Sequence, residues 1–163
     1  MQLTAPRAPQ PLTDPEFDAL LRPLGPFGPA SPGSPRFAVA VSGGADSMAL
    51  LRLAARWAAD NGGEVTALTV DHGLRPEAGD EARRVAGWCR DLGVAHRTLE
   101  WRGEKPDTGL QQAARAARYA LLTGWCRAQG CRDLLVAHNE GDQAETFLYR
   151  MSRGSGIDGL AGM

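Results

Sequence analysis

The sequence contains few cysteines and no long hydrophobic run, and each absence excludes a class of protein. Its three cysteines, Cys89, Cys126 and Cys131, form no C-x-x-C pair, so they predict neither a disulfide framework nor a zinc site. No apolar run reaches the length of a membrane span, and the first residues lack the basic-then-apolar order of a signal peptide. We therefore expect a soluble, cytoplasmic protein with reduced thiols and no membrane contact.

The sequence also lacks an excess of positive charge. Eighteen Lys and Arg residues oppose 19 Asp and Glu residues, which gives a formal net charge of -1. Because a protein that binds nucleic acid on its own is usually clearly basic, any contact with RNA must come from a local patch or from another domain. The 163 residues are enough for one domain with a single core.

Proline is concentrated at the start of the chain. Residues 1–35 contain nine of the eleven prolines, and proline both removes a backbone donor and fixes φ. We expect these residues to form a Pro-rich leader that contains one short helix, with Asp14 as its cap and Pro15 at its first position. The apolar residues of this helix, at helical spacing, are Phe17, Leu20, Leu21 and Leu24.

From residue 36 onward, segments typical of strands alternate with segments typical of helices. The predicted strands are 37–41, 64–70, 94–101 and 133–137, and the predicted helices are 47–60, 76–92, 110–129 and 142–151. This alternation predicts an α/β fold, a Rossmann-like doubly wound parallel sheet with right-handed crossovers. Because such a sheet would gain from a further strand, we expect residues 36–163 to be one domain that is incomplete at its C-terminal end.

The segment Ser42-Gly43-Gly44-Ala45-Asp46-Ser47 directly follows the first predicted strand and begins the next helix. Glycines let the backbone approach a ligand closely, a helix N-terminus favours an anion, and Ser42 and Ser47 add hydroxyl groups. Asp46 would repel a phosphate unless a metal ion lay between them, so the segment predicts a phosphate group bound with Mg²⁺. The alternative is a tight turn in which Asp46 or Ser47 only caps the helix.

Two nucleotide-binding motifs are absent, which narrows the class of site. The chain has neither G-x-x-x-x-G-K-[ST] nor G-x-G-x-x-G, so a Walker loop and a dinucleotide site are not predicted. The run S-G-G-A-D-S instead resembles the signature of the pyrophosphatase-loop (PP-loop) enzymes. This resemblance implies the adenine nucleotide alpha-hydrolase-like fold and cleavage of ATP between its α and β phosphates, with AMP passed to an acceptor.

Three further segments resemble the tRNA(Ile)-lysidine synthase family within this group. They are V-D-H-G-L-R at 70–75, Q-Q-A-A-R-A-A-R-Y at 111–119, and the region 137–163 with A-H-N-E-G-D-Q-A-E-T and R-G-S-G-I-D-G-L-A-G-M. The family usually has two adjacent acids before Q-A-E-T, whereas this chain has Gly141 and Asp142. If the missing acid holds metal or lysine, affinity should suffer, and if it only caps a helix, glycine is nearly as good.

The family resemblance implies ATP-dependent ligation of lysine to C2 of the wobble cytidine in tRNA(Ile) with a CAU anticodon. The cytidine is first adenylated, and the products are lysidine, AMP and pyrophosphate. The implied cofactors are ATP and Mg²⁺, the implied partners are this tRNA and free L-lysine, and a homodimer stays open. Two alternatives are another PP-loop tRNA-modifying enzyme, such as a thiolase, and a truncated, non-catalytic nucleotide-binding module.

The nucleotide-handling residues follow from the same resemblance. Residues 42–47 bind ATP, and Asp46 handles Mg²⁺ and the leaving pyrophosphate. Arg115 and Arg118 lie three apart on one helix face and could each bind a phosphate, although a solvated face is the alternative. Asp71 and His72 follow the second strand and could meet adenine or ribose, or form an ordinary polar pair in a loop.

The predicted lysine site follows the fourth strand. His138 stands at the strand end, and Asp142 and Glu145 lie three apart on the next helix. Paired acids could bind the lysine ammonium and accept its proton. The alternatives are a structural histidine and an ordinary acidic first helical turn.

Overall fold

The computed structural model of this chain describes residues 10–27 and 36–138. Its strands are β1 (Arg36–Ala40), β2 (Glu64–Asp71), β3 (Ala95–Glu100) and β4 (Asp133–Val136), and its helices are α1 (Asp14–Leu21), α2 (Ala45–Asp60), α3 (Ala78–Asp91) and α4 (Leu110–Ala128), with a 3₁₀ turn at Arg22–Leu24. Every element predicted between residues 37 and 137 is present, with bounds within two residues of the prediction. The helix predicted at 142–151 lies outside the described residues.

The four strands form one parallel sheet in the order β3-β2-β1-β4. Strand β1 therefore pairs on both sides, and Val39 stands opposite Ala67 of β2 and Leu135 of β4. The strand order reverses between β1 and β4, which is where open α/β sheets bind their ligands. The predicted doubly wound parallel sheet is confirmed, and its first and fourth strands lie side by side.

The two faces of β1 belong to two separate parts of the core. Phe37, Val39 and Val41 face a cluster that includes residues of α1, α2 and α3. Ala38 and Ala40 face a second cluster, formed with α4. Because β1 is buried on both faces, its sequence is a continuous apolar run rather than an alternating one. Within the described residues no helix is long and apolar enough to cross a membrane.

Helix α1 is present as predicted, but its cap and its first helical residue both lie one position earlier than the sequence predicts. Thr13 is the N-cap, with extended backbone angles (φ -83°, ψ 160°), and Asp14 is the first helical residue. The Glu16 carboxylate accepts hydrogen bonds from the Thr13 N–H (2.9 Å) and from the Thr13 hydroxyl (2.7 Å). This pairing of positions is a capping box, so the prediction that Asp14 caps the helix is wrong.

Helix α1 packs against the domain core. Phe17 and Leu21 are buried there, whereas Leu20 is 62% exposed. The Asp18 carboxylate accepts a hydrogen bond of 2.7 Å from the indole N–H of Trp57 on α2. Residues 14–21 are therefore attached to the core that begins at β1, and the division of the chain at residue 35 stays a prediction.

A half-buried histidine on the sheet predicts how stability depends on pH. The Nε2 atom of His96 on β3 lies 3.0 Å from the Thr69 hydroxyl on β2, and burial, assisted by Arg97, lowers the pKa of His96. The unfolded chain takes up a proton near the ordinary histidine pKa of about 6.5, before the folded chain does. Stability should therefore be full above that pH and decrease below it.

We expect denaturant unfolding at about pH 5.5 to occur at a lower midpoint than at about pH 7.5. His96→Gln should reduce this pH dependence, because one group that binds more protons in the unfolded state has been removed. Equal midpoints at both pH values for the unchanged chain would contradict the prediction.

Candidate active site

The turn from β1 into α2 is shaped by hydrogen bonds within the turn itself. The buried Ser47 hydroxyl donates to the Gly44 carbonyl (2.9 Å) and accepts from the Ser42 N–H (3.2 Å). The Gly44 N–H reaches the Ser42 hydroxyl at 3.4 Å. The buried Ser47 hydroxyl thus stabilises the loop conformation from the protein interior. Ser42 is exposed at the surface of the loop.

Helix α2 begins without a capping side chain. Its N-cap is Gly44, which makes no side-chain cap hydrogen bond, and the first helical residues are Ala45 and Asp46. Both residues are exposed. The N-cap position of this helix is therefore occupied by Gly44 and by neither Asp46 nor Ser47. A glycine cap at a helix N-terminus that follows a strand is the arrangement that binds phosphate in nucleotide sites.

Gly43 is required by both conformation and space. Its φ is +86°, a backbone conformation that residues with a side chain rarely adopt. A Cβ atom at this position would lie 3.0 Å from Cγ2 of Val85 on α3. The loop backbone therefore packs directly against α3, and this contact fixes where the loop lies over the sheet edge.

A cavity of about 280 Å³ opens at the carboxyl ends of β1 and β2, beside this loop. Its walls are largely apolar, from Ala40, Val41, Leu68, Val70, Leu74, Ala78, Ala82 and Leu122. Its polar side chains are few, namely Ser42, Thr69, His72, Arg75, Glu81 and Arg118. An apolar slot with a few convergent polar groups is typical of small-molecule sites, and this one adjoins the glycine loop.

The two predicted arginines have different surroundings. Arg118 lines the cavity, whereas Arg115 is not among the lining residues and its guanidinium carbon lies 5.3 Å from the centre of the Tyr119 ring. Arg115 is exposed and Arg118 half-buried. The structure therefore brings Arg118, rather than Arg115, to the wall of the cavity.

The other predicted residues lie near the same edge of the sheet or outside the described residues. Asp71, at the end of β2, accepts a hydrogen bond of 2.8 Å from the Gly73 N–H, which forms the turn after the strand. His138 follows β4, and its N–H donates to the Val136 carbonyl at 3.1 Å. Asp142 and Glu145 lie outside the described residues.

His72, which follows β2 beside Asp71, lines the cavity. Its Nδ1 atom is buried and has no hydrogen-bond partner among the described residues. Burial lowers the pKa of His72, the positive charge of Arg118 and of Lys105 lowers it further, and Asp71 opposes the shift. The imidazole is therefore neutral at neutral pH.

Metal binding by protein groups alone is not supported in the described part of the chain. No group of three or more His, Cys, Asp or Glu side chains there could hold a metal ion. Asp46 offers one exposed carboxylate in the first turn of α2. One or two carboxylates together with substrate phosphates are the usual ligands of Mg²⁺, so this loop fits the ion when a nucleotide is bound.

The three cysteines lie in the core, on opposite faces of the sheet. Cys89 belongs to the cluster with α2 and α3, and Cys126 and Cys131 belong to the cluster with α4. Burial, with a contribution from Cys131, raises the pKa of Cys126 to about 11. Burial also raises the pKa of Cys89. These thiols are placed as core residues, and all three together cannot bind one cluster or metal ion.

The burial of these thiols predicts slow alkylation. Because the thiolate is the reactive form, the folded chain at about pH 8 should react with iodoacetamide at less than about a tenth of the rate of the chain in denaturant. Mass spectrometry of the quenched reaction would count the modified thiols. Rapid modification of Cys126 in the folded chain would contradict the buried, protonated state.

The close contact between Gly43 and Val85 predicts that a side chain at position 43 lowers the stability of the fold. Gly43→Ala should destabilise the fold by more than Gly103→Ala, because Gly103 has a similar φ of +97° but open space around it. Backbone strain of about 1 kcal/mol is common to both variants, and only the first adds the clash with Val85. Denaturant unfolding would measure the difference.

A double variant separates the clash from the strain. Val85→Ala removes the atom that the new Cβ would meet, so Gly43→Ala should cost less in a Val85→Ala background than in the unchanged chain. Equal costs in the two backgrounds would show that the contact with α3 does not restrict the loop.

Known proteins that are similar to this chain include several synthases. The tRNA(Ile)-lysidine synthase of Rhodopseudomonas palustris is 54% identical over 131 residues, which cover 79% of this chain and 38% of the relative. The enzyme of the same name from Methylobacterium sp. is 52% identical over 146 residues, which cover 90% of this chain and 42% of the relative. The chain thus spans about two fifths of the length of these curated relatives.

A solved structure and a family model agree on the fold. The U34-tRNA thiolase NcsA from Methanococcus maripaludis, solved with its [4Fe-4S] cluster, matches with a TM-score of 0.67 over 77% of this chain and 46% of its own, at 18% identity. That likeness concerns the fold alone. The model of the PP-loop domain matches residues 15–163, which include the glycine turn and the strands around it. This chain therefore belongs to the PP-loop family of ATP-binding domains.

Proposed function

We propose that this chain is the ATP-using part of a tRNA(Ile)-lysidine synthase and acts in the cytoplasm. The observation that carries the proposal is the cavity beside the glycine turn, in a chain that is about half identical to curated synthases. The cavity suits a nucleoside, and the adjoining helix N-terminus suits its phosphates.

The proposed reaction has two steps. The carbonyl oxygen at C2 of the wobble cytidine, in tRNA(Ile) with a CAU anticodon, attacks the α-phosphorus of ATP and pyrophosphate leaves. The ε-amine of free lysine then attacks C2, the bond from C2 to the phosphorylated oxygen breaks, and AMP leaves. The first step converts a poor leaving group into a good one, and the second step uses it.

The nucleotide is held by the elements around β1 and β2. Backbone N–H groups of the turn at residues 42–47 bind its phosphates, and Arg118 in the cavity wall adds a guanidinium that can bind two oxygens. Arg115, one turn earlier and exposed, contacts phosphate oxygens at the mouth of the cavity. Asp46 holds Mg²⁺, which when bound neutralises charge on the leaving pyrophosphate.

The lysine site is proposed on the other side of β1. Strand β4 is paired with β1, so His138 at its end lies at the same sheet edge as the glycine turn. Asp142 and Glu145, which follow in the sequence, bind the lysine ammonium and accept its proton. The nucleotide and the lysine would thus approach the cytidine from opposite sides of β1.

A thiolase activity has less support from this chain. The printed name of the thiolase neighbour includes a [4Fe-4S] cluster, and such clusters are held by cysteine thiolates. Here Cys89 lies on one sheet face and the other two cysteines lie on the opposite face. The chain therefore lacks a cysteine arrangement that would serve sulfur chemistry of that kind.

Substitution of Asp46 tests the proposal. With ATP, Mg²⁺, lysine and a CAU-anticodon tRNA(Ile), Asp46→Asn should reduce pyrophosphate release at least about a hundredfold, because metal-assisted charge neutralisation supplies several kcal/mol. Asp60→Asn, which removes the same charge at the far end of α2, is the matched control and should release pyrophosphate as the unchanged chain does.

The products themselves decide between reaction classes. The proposed chemistry gives AMP, pyrophosphate and a lysine-modified cytidine, which chromatography with mass spectrometry would separate. Release of ADP and phosphate, or pyrophosphate release from Asp46→Asn at the unchanged rate, would contradict the proposed function.

A further inference from the structure

We propose that Trp88 on α3 stacks on an unpaired RNA base next to the cytidine that is modified, and that Arg84 contacts an adjoining phosphate. The proposal rests on the proposed function, because it takes an RNA loop as the substrate that reaches the glycine turn. It gives the RNA a binding surface on the outer side of α3, outside the cavity that holds the nucleotide.

The indole of Trp88 lies beside the glycine turn. A Cβ atom at Gly43 would lie 3.9 Å from Cζ3 of Trp88. Long side chains on a helix lean toward its N-terminus, so this indole reaches back along α3 to the turn. Trp88 is not among the residues that line the cavity. The ring therefore borders the phosphate-binding turn from outside the nucleotide cavity.

The same indole is accessible from solvent. Trp88 is 43% exposed, and it is the only aromatic residue among the exposed large apolar side chains in the part of the chain that the structure describes. The other three tryptophans are half-buried. The turn beside Trp88 is open as well, since Ser42 and Asp46 are exposed. Trp88 thus combines a large aromatic surface, proximity to the turn and access for a ligand.

The proposed reaction brings RNA bases close to this ring. The C2 oxygen of the cytidine must reach the α-phosphorus of an ATP molecule whose phosphates lie at the glycine turn. The bases on either side of the cytidine are one nucleotide away, so they come near the residues that border the turn. Proteins commonly hold unpaired RNA bases by stacking them on aromatic side chains. Trp88 is in the position to hold one of these two bases.

The charge beside Trp88 favours RNA over an apolar protein segment. Arg84 lies one helical turn before Trp88, on the same face of α3, and is exposed. No ion pair among residues 10–27 and 36–138 includes Arg84. Both acids in the first turn of α3 are already paired with other arginines. An uncompensated guanidinium next to an aromatic ring suits a base and its phosphate.

A double-mutant cycle between protein and RNA tests the stacking contact. The RNA is the anticodon stem-loop of tRNA(Ile) with a CAU anticodon, intact or without the base at one neighbour of the wobble cytidine. Affinity is measured by fluorescence anisotropy with α,β-methylene ATP, which cannot be cleaved at that bond, and Mg²⁺. Trp88→Leu should weaken binding of the intact RNA about tenfold, the effect of one lost base–aromatic stack, and Trp88→Phe should keep most of the affinity.

Removal of the stacked base should weaken binding to the unchanged chain by a similar factor and cause no further loss in Trp88→Leu. Leu92→Ala is the matched control, because Leu92 is 39% exposed one turn further from the glycine turn, and its RNA affinity should equal that of the unchanged chain. Unchanged affinity in Trp88→Leu would overturn the proposal. Equal losses in Trp88→Leu and Leu92→Ala would also do so, because they would indicate an apolar patch that docks protein.

The salt dependence of binding tests the role of Arg84. Arg84→Gln should reduce the slope of log affinity against log salt concentration by about one, as loss of one phosphate contact does. Arg127→Gln removes the same charge in the last turn of α4 and should leave the slope unchanged. The same slope for Arg84→Gln and the unchanged chain would contradict the phosphate contact.

Photocrosslinking of the unchanged chain does not depend on whether a variant folds. Stem-loops with 5-iodouridine at either neighbour of the wobble cytidine are irradiated in the complex, and mass spectrometry locates the crosslink. One of the two positions should crosslink to Trp88, and 5-iodouridine in the stem should not. Crosslinks from both positions only to other residues would overturn the proposal and leave the proposed function intact. Failure of the unchanged chain to bind the stem-loop even at low salt would overturn both.

Discussion

The backbone at Gly43 is the constraint on which the rest of the site depends. Its φ of +86° is rare for residues that have a side chain, and a Cβ there would lie only 3.0 Å from Val85. Glycine therefore allows the chain to turn sharply where β1 ends. Ser47 closes the turn from below, and α2 begins at once with a glycine as its cap. These features together place the N-terminus of α2 at the carboxyl edge of the sheet, a position that favours an anion such as phosphate.

The position of β1 in the sheet then brings the other groups to this turn. Strand β2 lies on one side of β1 and is followed by His72. Strand β4 lies on the other side of β1 and is followed by His138. Helix α4 connects β3 to β4 and packs on the sheet face that carries Ala38 and Ala40. This helix places Arg118 in the wall of the cavity beside the glycine turn. In the proposed reaction this arrangement puts the nucleotide toward β2 and the lysine toward β4, with the cytidine between them.

The helices and strands could be predicted closely from the sequence, because the patterns that indicate them are local. Contacts between side chains of different elements could be predicted less well. Strand β1 is buried on both faces, so it stands out as an apolar run. The capping residue of α1 was misplaced by one position, because Thr13 and Asp14 are both good caps and only the geometry of Glu16 decides between them. The spacing of Arg115 and Arg118 indicates a shared face, yet which of the two reaches the cavity depends on how α4 packs. The predicted roles of Asp142 and Glu145, outside the described residues, stay predictions.

In the proposed reaction ATP activates the cytidine at its C2 oxygen, and an isotope experiment tests whether that oxygen becomes bonded to the α-phosphorus. A CAU-anticodon tRNA(Ile) carrying ¹⁸O at C2 of the wobble cytidine would be converted with ATP, Mg²⁺ and lysine, by this chain and in parallel by the full-length Rhodopseudomonas palustris relative. If the C2 oxygen attacks the α-phosphorus and later leaves on it, mass spectrometry should find the label in the phosphate of the AMP released. Lysine-modified cytidine formed together with unlabelled AMP would contradict the account.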